Sequence, residues 1–381
     1  MKKAKMKKKE RKWQNTMKHV QLMIKPASSN CNLRCSYCFY EDECKNREVH
    51  SYGFMKEEVL EKVVRKALDA AELSCTFGFQ GGEPTLAGLE FYRKFIDYTK
   101  QYKKPETRLQ FCLQTNGSLL NEEWGDFLKE HHFLVGISLD GTREIHDKNR
   151  RDGNGKETFG RVLKNAKMLQ KKGVDVNILC VLTKQSAKKI TSIYQYLKKE
   201  GFYYQQYIPC LDPLGEKRGQ HPWSLTPEVY ERALKDLFDL WFEDVRSGTM
   251  ISLREFDNWM SVLKGYPPEA CAQTGRCSMQ NIVEANGDIF PCDFYVLDEH
   301  RVANIADADF RFSEGVPVEK DFFREGMKRG EKCSQCKWYP LCRGGCKRDY
   351  AEEKENYFCQ AYQGFFAYAI ERMEWLVRFI R

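Results

Sequence analysis

The stretch CNLRCSYCFY, residues 31–40, places Cys31, Cys35 and Cys38 at C-x3-C-x2-C spacing in one short segment. Thiolates are soft ligands that hold zinc or iron-sulfur clusters, and the number of ligands helps to separate the two. A closed structural zinc site takes four ligands, and Cys44, six residues further on, is the nearest thiol that could complete one. Three thiolates on a 4Fe-4S cube instead leave one iron without a protein ligand, open to a substrate or cofactor. Spacing alone leaves both readings standing.

A second concentration of thiols lies near the C-terminus: Cys271, Cys277, Cys292, Cys333, Cys336, Cys342, Cys346 and Cys359. The run CSQCKWYPLCRGGC, residues 333–346, has C-x2-C-x5-C-x3-C spacing. Eight thiolates make two sites of four, which either two structural zincs or two clusters satisfy. Of the remaining cysteines, Cys75, Cys112, Cys180 and Cys210 fall in or beside strand-like runs, where small buried thiols are ordinary. The chain has 16 cysteines and no evident export signal, since the apolar patch VQLMI (20–24) is shorter than a signal-peptide core. A reducing, cytoplasmic setting is therefore expected, with thiols available to metals rather than to disulfides.

Such ligands need a frame. Strands are expected at 19–26, 75–80, 108–114, 133–140, 174–183 and 202–209, from short runs rich in Val, Ile, Leu, Phe and Tyr. Helical periodicity fills the gaps, as in KEEVLEKVVRKALDAAEL (56–73) and GRVLKNAKMLQKKG (160–173), the latter stopped by Gly173. Repeated strand-helix alternation predicts parallel β/α units, and right-handed crossovers curl six of them into a partial (β/α)6 barrel of the α/β class. In such a barrel the chemistry sits at the C-terminal strand ends. QGGEP (80–84), QTNG (114–117) and SLDG (138–141) fall there, each with a glycine turn that admits close backbone approach.

The pattern changes after about residue 225. The expected division is a basic tail at 1–18, the barrel at 19–225, a helical connector at 226–265 and a cysteine-rich domain at 266–381. Within the last, NIVEANGDIFPC reads as a hairpin turned at Asn286-Gly287. The segment EIHDKNRRD (144–152) receives no role beyond a pairing of Arg150 with Asp152.

Composition excludes other classes. Residues 1–18 hold nine Lys or Arg and one acid, so the tail alone accounts for the formal net charge of +8, the remaining chain sums to about zero, and no nucleic-acid partner is expected. The tail reads as disordered and solvated; a weak polyanion contact and a translation start at Met17 are the other readings. Apolar runs are too short to span a bilayer, so no membrane segment is expected.

With Tyr37 before its last cysteine, the CNLRCSYCFY segment resembles the radical S-adenosylmethionine enzymes. The resemblance implies that Cys31, Cys35 and Cys38 hold a 4Fe-4S cluster whose open iron chelates the methionine amine and carboxylate of the cofactor. It further implies that Gly81 and Gly82 bind the methionine amine with Glu83 near it, that Tyr40 lies by the adenine, and that Gln80, Ser138 and Asp140 contact the cofactor. A plain strand-helix turn is the alternative for Gly81 and Gly82. The C-terminal cysteines resemble a SPASM-type extension with two auxiliary 4Fe-4S clusters. On that pattern Cys346 joins Cys271, Cys277 and Cys292, while Cys333, Cys336, Cys342 and Cys359 form the other site.

Longer strings narrow the resemblance. LMIKPASSNCNLRCSYCFY (22–40), FQGGEPTLAGLEF (79–91), LQTNGSLL (113–120), FLVGISLDG (133–141) and PCDFYVLD (291–298) look like the anaerobic sulfatase-maturating enzymes. That family implies oxidation of a cysteine or serine in a nascent sulfatase, within a C/S-x-P-x-R motif, to Cα-formylglycine without oxygen. A 5′-deoxyadenosyl radical takes a Cβ hydrogen, Asp293 beside Cys292 is placed to take the proton, and an auxiliary cluster accepts the electron. The alternative for Asp293 is a carboxylate satisfying the hairpin backbone. A flavodoxin or ferredoxin is the implied electron donor, and a monomer is expected. Another SPASM-type enzyme that crosslinks a different peptide, or a non-catalytic zinc scaffold, would share much of the cysteine pattern.

The tail supplies a first prediction. Its composition offers too little apolar surface to offset its ordering entropy. Deleting residues 1–16 should leave the melting temperature and peptide turnover unchanged, and a large loss of turnover would show that the tail recruits substrate.

Overall fold

Six parallel strands follow one another in sequence order across a single sheet: β1 (Met17–Ile24), β2 (Ala71–Phe79), β3 (Arg108–Thr115), β4 (Phe133–Ser138), β5 (Asp175–Leu182) and β6 (Tyr204–Pro209). The structure is a computed structural model, and it describes residues 17–312, 321–351 and 355–379. The basic tail up to residue 16 lies outside the described residues. Parallel register runs unbroken from Ile24 through Phe79 and Leu113 to Val135 and Val176, so the C-terminal strand ends gather on one rim. This is the partial (β/α)6 barrel that the alternation predicts.

Helices cover the sheet because their apolar residues recur on one face. In Glu57–Ala70 the buried residues Leu60, Val63, Val64, Ala67 and Leu68 follow the i, i+3, i+4, i+7, i+8 spacing. That helix stops at Ala70, earlier than the predicted 73, and Ala71 enters β2 without a loop. The core beneath is aromatic: Phe77 and Phe79 pack edge-on against Phe95, which in turn meets Phe111. Helix Phe159–Lys171 ends just before Gly173, whose φ of +73° is the left-handed turn expected there.

Both edges of the barrel sheet are extended. β7 (Ser252–Leu253) adds in parallel to β6, and β8 (Ile282–Val283) adds in parallel to β1, with Met23 opposite Ile282 and Ile24 opposite Val283. From β8 the chain turns antiparallel into β9 (Asp288–Phe290) and β10 (Ala303–Asn304). The hairpin exists, but its turn differs from the one expected. Ala285, Asn286 and Gly287 form a three-residue loop, with Gly287 at φ +88° in the position of a bulge glycine, so Asn286-Gly287 is not the central pair of a two-residue turn. The C-terminal helix Cys359–Val377 packs on Pro227–Arg246 and Arg254–Leu263 through Phe238, Phe256 and Phe365. Among the described residues no helix is long and apolar enough to cross a membrane.

Two buried ion pairs brace the junction of hairpin and barrel. Arg47 meets Glu284 at 2.8 Å and Lys25 meets Glu43 at 2.8 Å, all four side chains at most 2% exposed. Breaking such a pair from one side strands a charge in a dry interior. Arg47→Met should therefore cost about 3–5 kcal/mol of stability, read as a lower denaturant midpoint; an unchanged midpoint would contradict it.

Candidate functional site

A cavity of about 370 Å³ opens at the C-terminal rim of the barrel, and Cys31, Cys35 and Cys38 all line it. Burial pushes the Cys31 thiol up to about 11 and the Cys35 thiol up to about 12, so these sulfurs become thiolates at neutral pH only when a metal replaces the proton. Donors are already turned toward them: Leu33 N at 3.4 Å and Asn116 Nδ2 at 3.8 Å from Cys31 Sγ, and Arg150 Nη1 at 4.0 Å from Cys35 Sγ. Such donors suit the anionic sulfurs of an iron-sulfur site. Cys44 does not join them. It is buried elsewhere, with its sulfur 3.1 Å from His50 Nε2 and outside the cavity lining, so the nearest cysteine in sequence is not a fourth ligand here.

The cysteine loop is held by a short antiparallel ribbon in which Leu33–Cys35 pairs with Arg150–Asp152 and Cys35 stands opposite Arg150. Here the predicted Arg150–Asp152 pair is replaced. Arg150 binds Asp140 through Nε at 3.0 Å and Nη2 at 3.2 Å, whereas Asp152 accepts from Asn154 N and Lys156 N in its own turn. A guanidinium on the buried rim needs a buried carboxylate, and Asp152 is drawn into the local turn instead. Asp140 also accepts from the Tyr37 hydroxyl and from Val181 N at 3.0 Å. It is fully buried and does not line the cavity, so it acts on the site by holding Arg150 and Tyr37.

Gly81 and Gly82 do line the cavity, with φ of +91° and +50°. A Cβ on Gly82 would meet Asn30 O at 2.3 Å and Ser28 O at 2.9 Å, so the turn presses against the backbone that leads into Cys31. Glu83 faces the other way. Its buried carboxylate accepts from Thr85 N at 3.0 Å, Thr115 Oγ1 at 2.7 Å and Asn116 N at 2.7 Å, tying this turn to the end of β3. Like Asp140 it is absent from the cavity wall and shapes it from behind. Ser138 is on the wall and accepts from Gln114 Nε2 at 3.3 Å.

Tyr40 and Gln80, also on the wall, converge on Asp293. The Tyr40 hydroxyl donates to Asp293 Oδ2 at 2.6 Å and Gln80 Nε2 donates to the same oxygen at 3.0 Å. The carboxylate accepts no backbone N–H of the hairpin, and Oδ1 is buried without a partner among the described residues. Burial raises the Asp293 pKa above the usual carboxylate range, while the Lys25 ammonium pulls it back. Lys25 is 1% exposed and lies 4.8 Å from the Tyr40 ring centre. Lys25, Glu43 and Arg150 were not singled out for this site by the sequence reading. The available signal was a lysine closing the apolar run LMI just before Pro26, a place where an unpaired charge is costly.

The C-terminal thiols fall into two neighbourhoods. Cys346 feels the charges of Cys277 and Cys271, and Cys292 those of Cys346 and Cys271. Cys342 feels Cys359, Cys333 and Cys336, and these four line one small cavity of about 30 Å³. Cys342 and Cys346 reach the wall of the large cavity as well, so both neighbourhoods border it.

A family model described as the Radical SAM superfamily matches residues 26–197. The chain is 46% identical over 367 residues to a cysteine-type anaerobic sulfatase-maturating enzyme of Clostridium novyi, covering 95% of this chain and 98% of that protein. It is 28% identical over 383 residues to a serine-type anaerobic sulfatase-maturating enzyme of Bacteroides thetaiotaomicron, covering 94% and 91%. Among solved structures, native anSMEcpe with bound AdoMet and Cp18Cys peptide superposes with a TM-score of 0.89 at 42% identity, covering 95% of this chain and 100% of that one.

The glycine turn supplies a direct test of the wall. Gly82→Ala forces a side chain into left-handed backbone against two carbonyls, a strain of about 1–3 kcal/mol before relaxation. Displacement of residues 28–30 should lower the iron held at the first thiol trio, and wild-type iron content in the variant would show that the loop tolerates the change.

Proposed function

The chain belongs to the anaerobic sulfatase-maturating enzymes of the radical S-adenosylmethionine superfamily, and on that premise we propose that it prepares a sulfatase by oxidising a cysteine in preference to a serine. It is a radical oxidoreductase that converts a cysteine or serine of a sulfatase to Cα-formylglycine without oxygen. Its cofactors are S-adenosylmethionine and three 4Fe-4S clusters. The preference for cysteine is supported by 46% identity to a cysteine-type relative against 28% to a serine-type one, both over nearly the whole chain.

One observation carries the assignment of roles: Tyr40 and Gln80, on the same cavity wall as the Cys31, Cys35 and Cys38 thiols, both bond Asp293, the residue next to Cys292. Cys31, Cys35 and Cys38 hold the first cluster, and Gly81, Gly82, Ser138, Gln80 and Tyr40 frame the cofactor, with Glu83 and Asp140 setting the wall from behind. Cys271, Cys277, Cys292 and Cys346 hold one auxiliary cluster, and Cys333, Cys336, Cys342 and Cys359 the other. When bound, these groups supply a 5′-deoxyadenosyl radical that removes a Cβ hydrogen from the target residue and an acceptor for the electron left behind.

Asp293 takes the remaining proton, from the thiol or hydroxyl. Loss of a hydrogen atom, a proton and an electron is a two-electron oxidation of the side chain; for cysteine it leaves a C=S group that water converts to the aldehyde. A carboxylate whose pKa is raised by burial binds that proton more firmly than an exposed one. Tyr40 and Gln80, which line the cavity, fix Oδ2; Asp293 itself stands just behind them, and its buried Oδ1, without a partner among the described residues, is the atom left to hold the proton.

On this reading residues 19–225 form the radical barrel, 226–265 a helical connector and 266–381 the domain of the auxiliary clusters. The substrate is a nascent or unfolded sulfatase segment of the C/S-x-P-x-R type, a flavodoxin or ferredoxin supplies electrons, and the enzyme works as a monomer in the cytoplasm. Anaerobically reconstituted protein should carry about twelve irons and convert a C-x-P-x-R peptide to formylglycine faster than its serine analogue, read by mass spectrometry. Replacing Cys31, Cys35 and Cys38 together by Ala should remove about four irons and all 5′-deoxyadenosine formation. Cofactor cleavage at the wild-type rate in that variant would overturn the assignment of the first cluster.

A further inference from the structure

Helix α1 (Phe39–Lys45) follows the first thiol trio, and its outer side carries a second set of metal-ligating groups that the radical chemistry does not use. Glu41 and Cys44 stand three residues apart and share one helix face. His50 comes from the segment that follows. The Cys44 sulfur is 3.1 Å from His50 Nε2, and the ligating atoms of Glu41, Cys44 and His50 all lie within 4.8 Å of one another. Sulfur, imidazole nitrogen and carboxylate oxygen together form the donor set of a borderline divalent cation, of which zinc is the best fit.

The frame around these groups is already built. The His50 carbonyl accepts from Ser29 Oγ at 2.6 Å and from Arg47 Nη2 at 2.9 Å, and Arg47 is itself held by Glu284. The imidazole therefore extends from a fixed main chain toward a buried sulfur. Glu41 and His50 are exposed, which leaves a path for a cation to enter. The other partner of Glu41 is Lys45 at 3.2 Å, an exposed pair that gives way easily. Zinc bonds of about 2.3 Å to sulfur and about 2.0 Å to nitrogen at a tetrahedral angle separate the two ligands by roughly 3.5 Å. The observed 3.1 Å needs only a small opening of the pair.

We infer that Glu41, Cys44 and His50 form a zinc site separate from the three cluster sites, with water as the fourth ligand. Binding forms a zinc–sulfur bond and releases the Cys44 proton to solvent. The ion clips the last turn of α1 to the segment ending at His50, and α1 is the helix that carries Tyr40 and Glu43. Cys44 does not line the cavity of the first thiol trio, so this zinc is no surrogate for a missing iron.

The test uses the anaerobically reconstituted, three-cluster protein, freed of loose metal by a mild chelator and then given limiting zinc chloride. Zinc and iron per chain are counted by mass spectrometry, and zinc K-edge absorption reads the ligands. Expected is zinc with one sulfur and the rest nitrogen or oxygen, bound at least about tenfold more weakly in Cys44→Ser and in His50→Ala while iron stays constant. Equal zinc in wild type and His50→Ala, or an absorption edge with only sulfur ligands, overturns the site. If Cys44→Ser loses iron and so has lost its fold, the exposed His50→Ala variant decides alone.

Discussion

The parallel pairing of Ile282–Val283 onto β1 is the contact on which the rest of the site depends. Met23 N donates to Asn281 O at 3.1 Å and Lys25 N donates to Val283 O at 2.8 Å, so the open edge of the barrel is closed by a strand that belongs in sequence to the cysteine-rich region. The hairpin then returns through Asp288–Phe290 and delivers Cys292 and Asp293 to the barrel rim. Tyr40 and Asp293 are 253 residues apart in the chain and 2.6 Å apart in space. That strand pairing sets the loop carrying the thiol trio and the loop carrying the carboxylate at neighbouring places on one sheet.

Charge at the junction follows from the same pairing. Lys25 and Arg47 are enclosed with three carboxyl groups, Glu43, Glu284 and Asp293, in a region almost free of solvent. Two cations cannot neutralise three carboxylates, and a low-dielectric interior does not tolerate the surplus negative charge. Burial accordingly pushes Glu43 up to about 7 and raises Asp293 as well, with Lys25 opposing both. Burial thus raises the proton affinity of Asp293, while the Tyr40 and Gln80 donors and the Lys25 ammonium favour its ionised form, the form that the proposed proton acceptor needs.

Much of this was legible in the sequence, for reasons that differ by element. The six barrel strands and their helices follow from periodicity, and the glycine turns at strand ends from the fact that few other residues adopt their backbone angles. Asp293 could be proposed from the sequence because it adjoins Cys292 in a string that resembles one family. Pairings between distant segments were not. Arg150 was expected to meet the neighbouring Asp152, but the ribbon puts it opposite Cys35, where Asp140 is the available buried anion. Glu83 and Asp140 resembled cofactor contacts, yet each is spent on donors inside the wall, a distinction that turns on which way a side chain faces after a tight turn. The Asn286-Gly287 pair signalled a hairpin correctly, while the extra residue in its loop was set by the register of β8 against β9.

The central claim is that the hairpin brings the proton acceptor Asp293 to a radical site built by the barrel. Asp293→Asn keeps size and hydrogen bonding but removes the basic carboxylate, and general-base catalysis contributes about two to four orders of magnitude. The decisive measurement gives this variant, with its clusters verified by iron content, a C-x-P-x-R peptide deuterated at the target Cβ. Deuterium should still appear in 5′-deoxyadenosine while formylglycine falls by about two orders of magnitude or more. Formylglycine at close to the wild-type rate would contradict the account and reduce Asp293 to a structural partner of Tyr40 and Gln80.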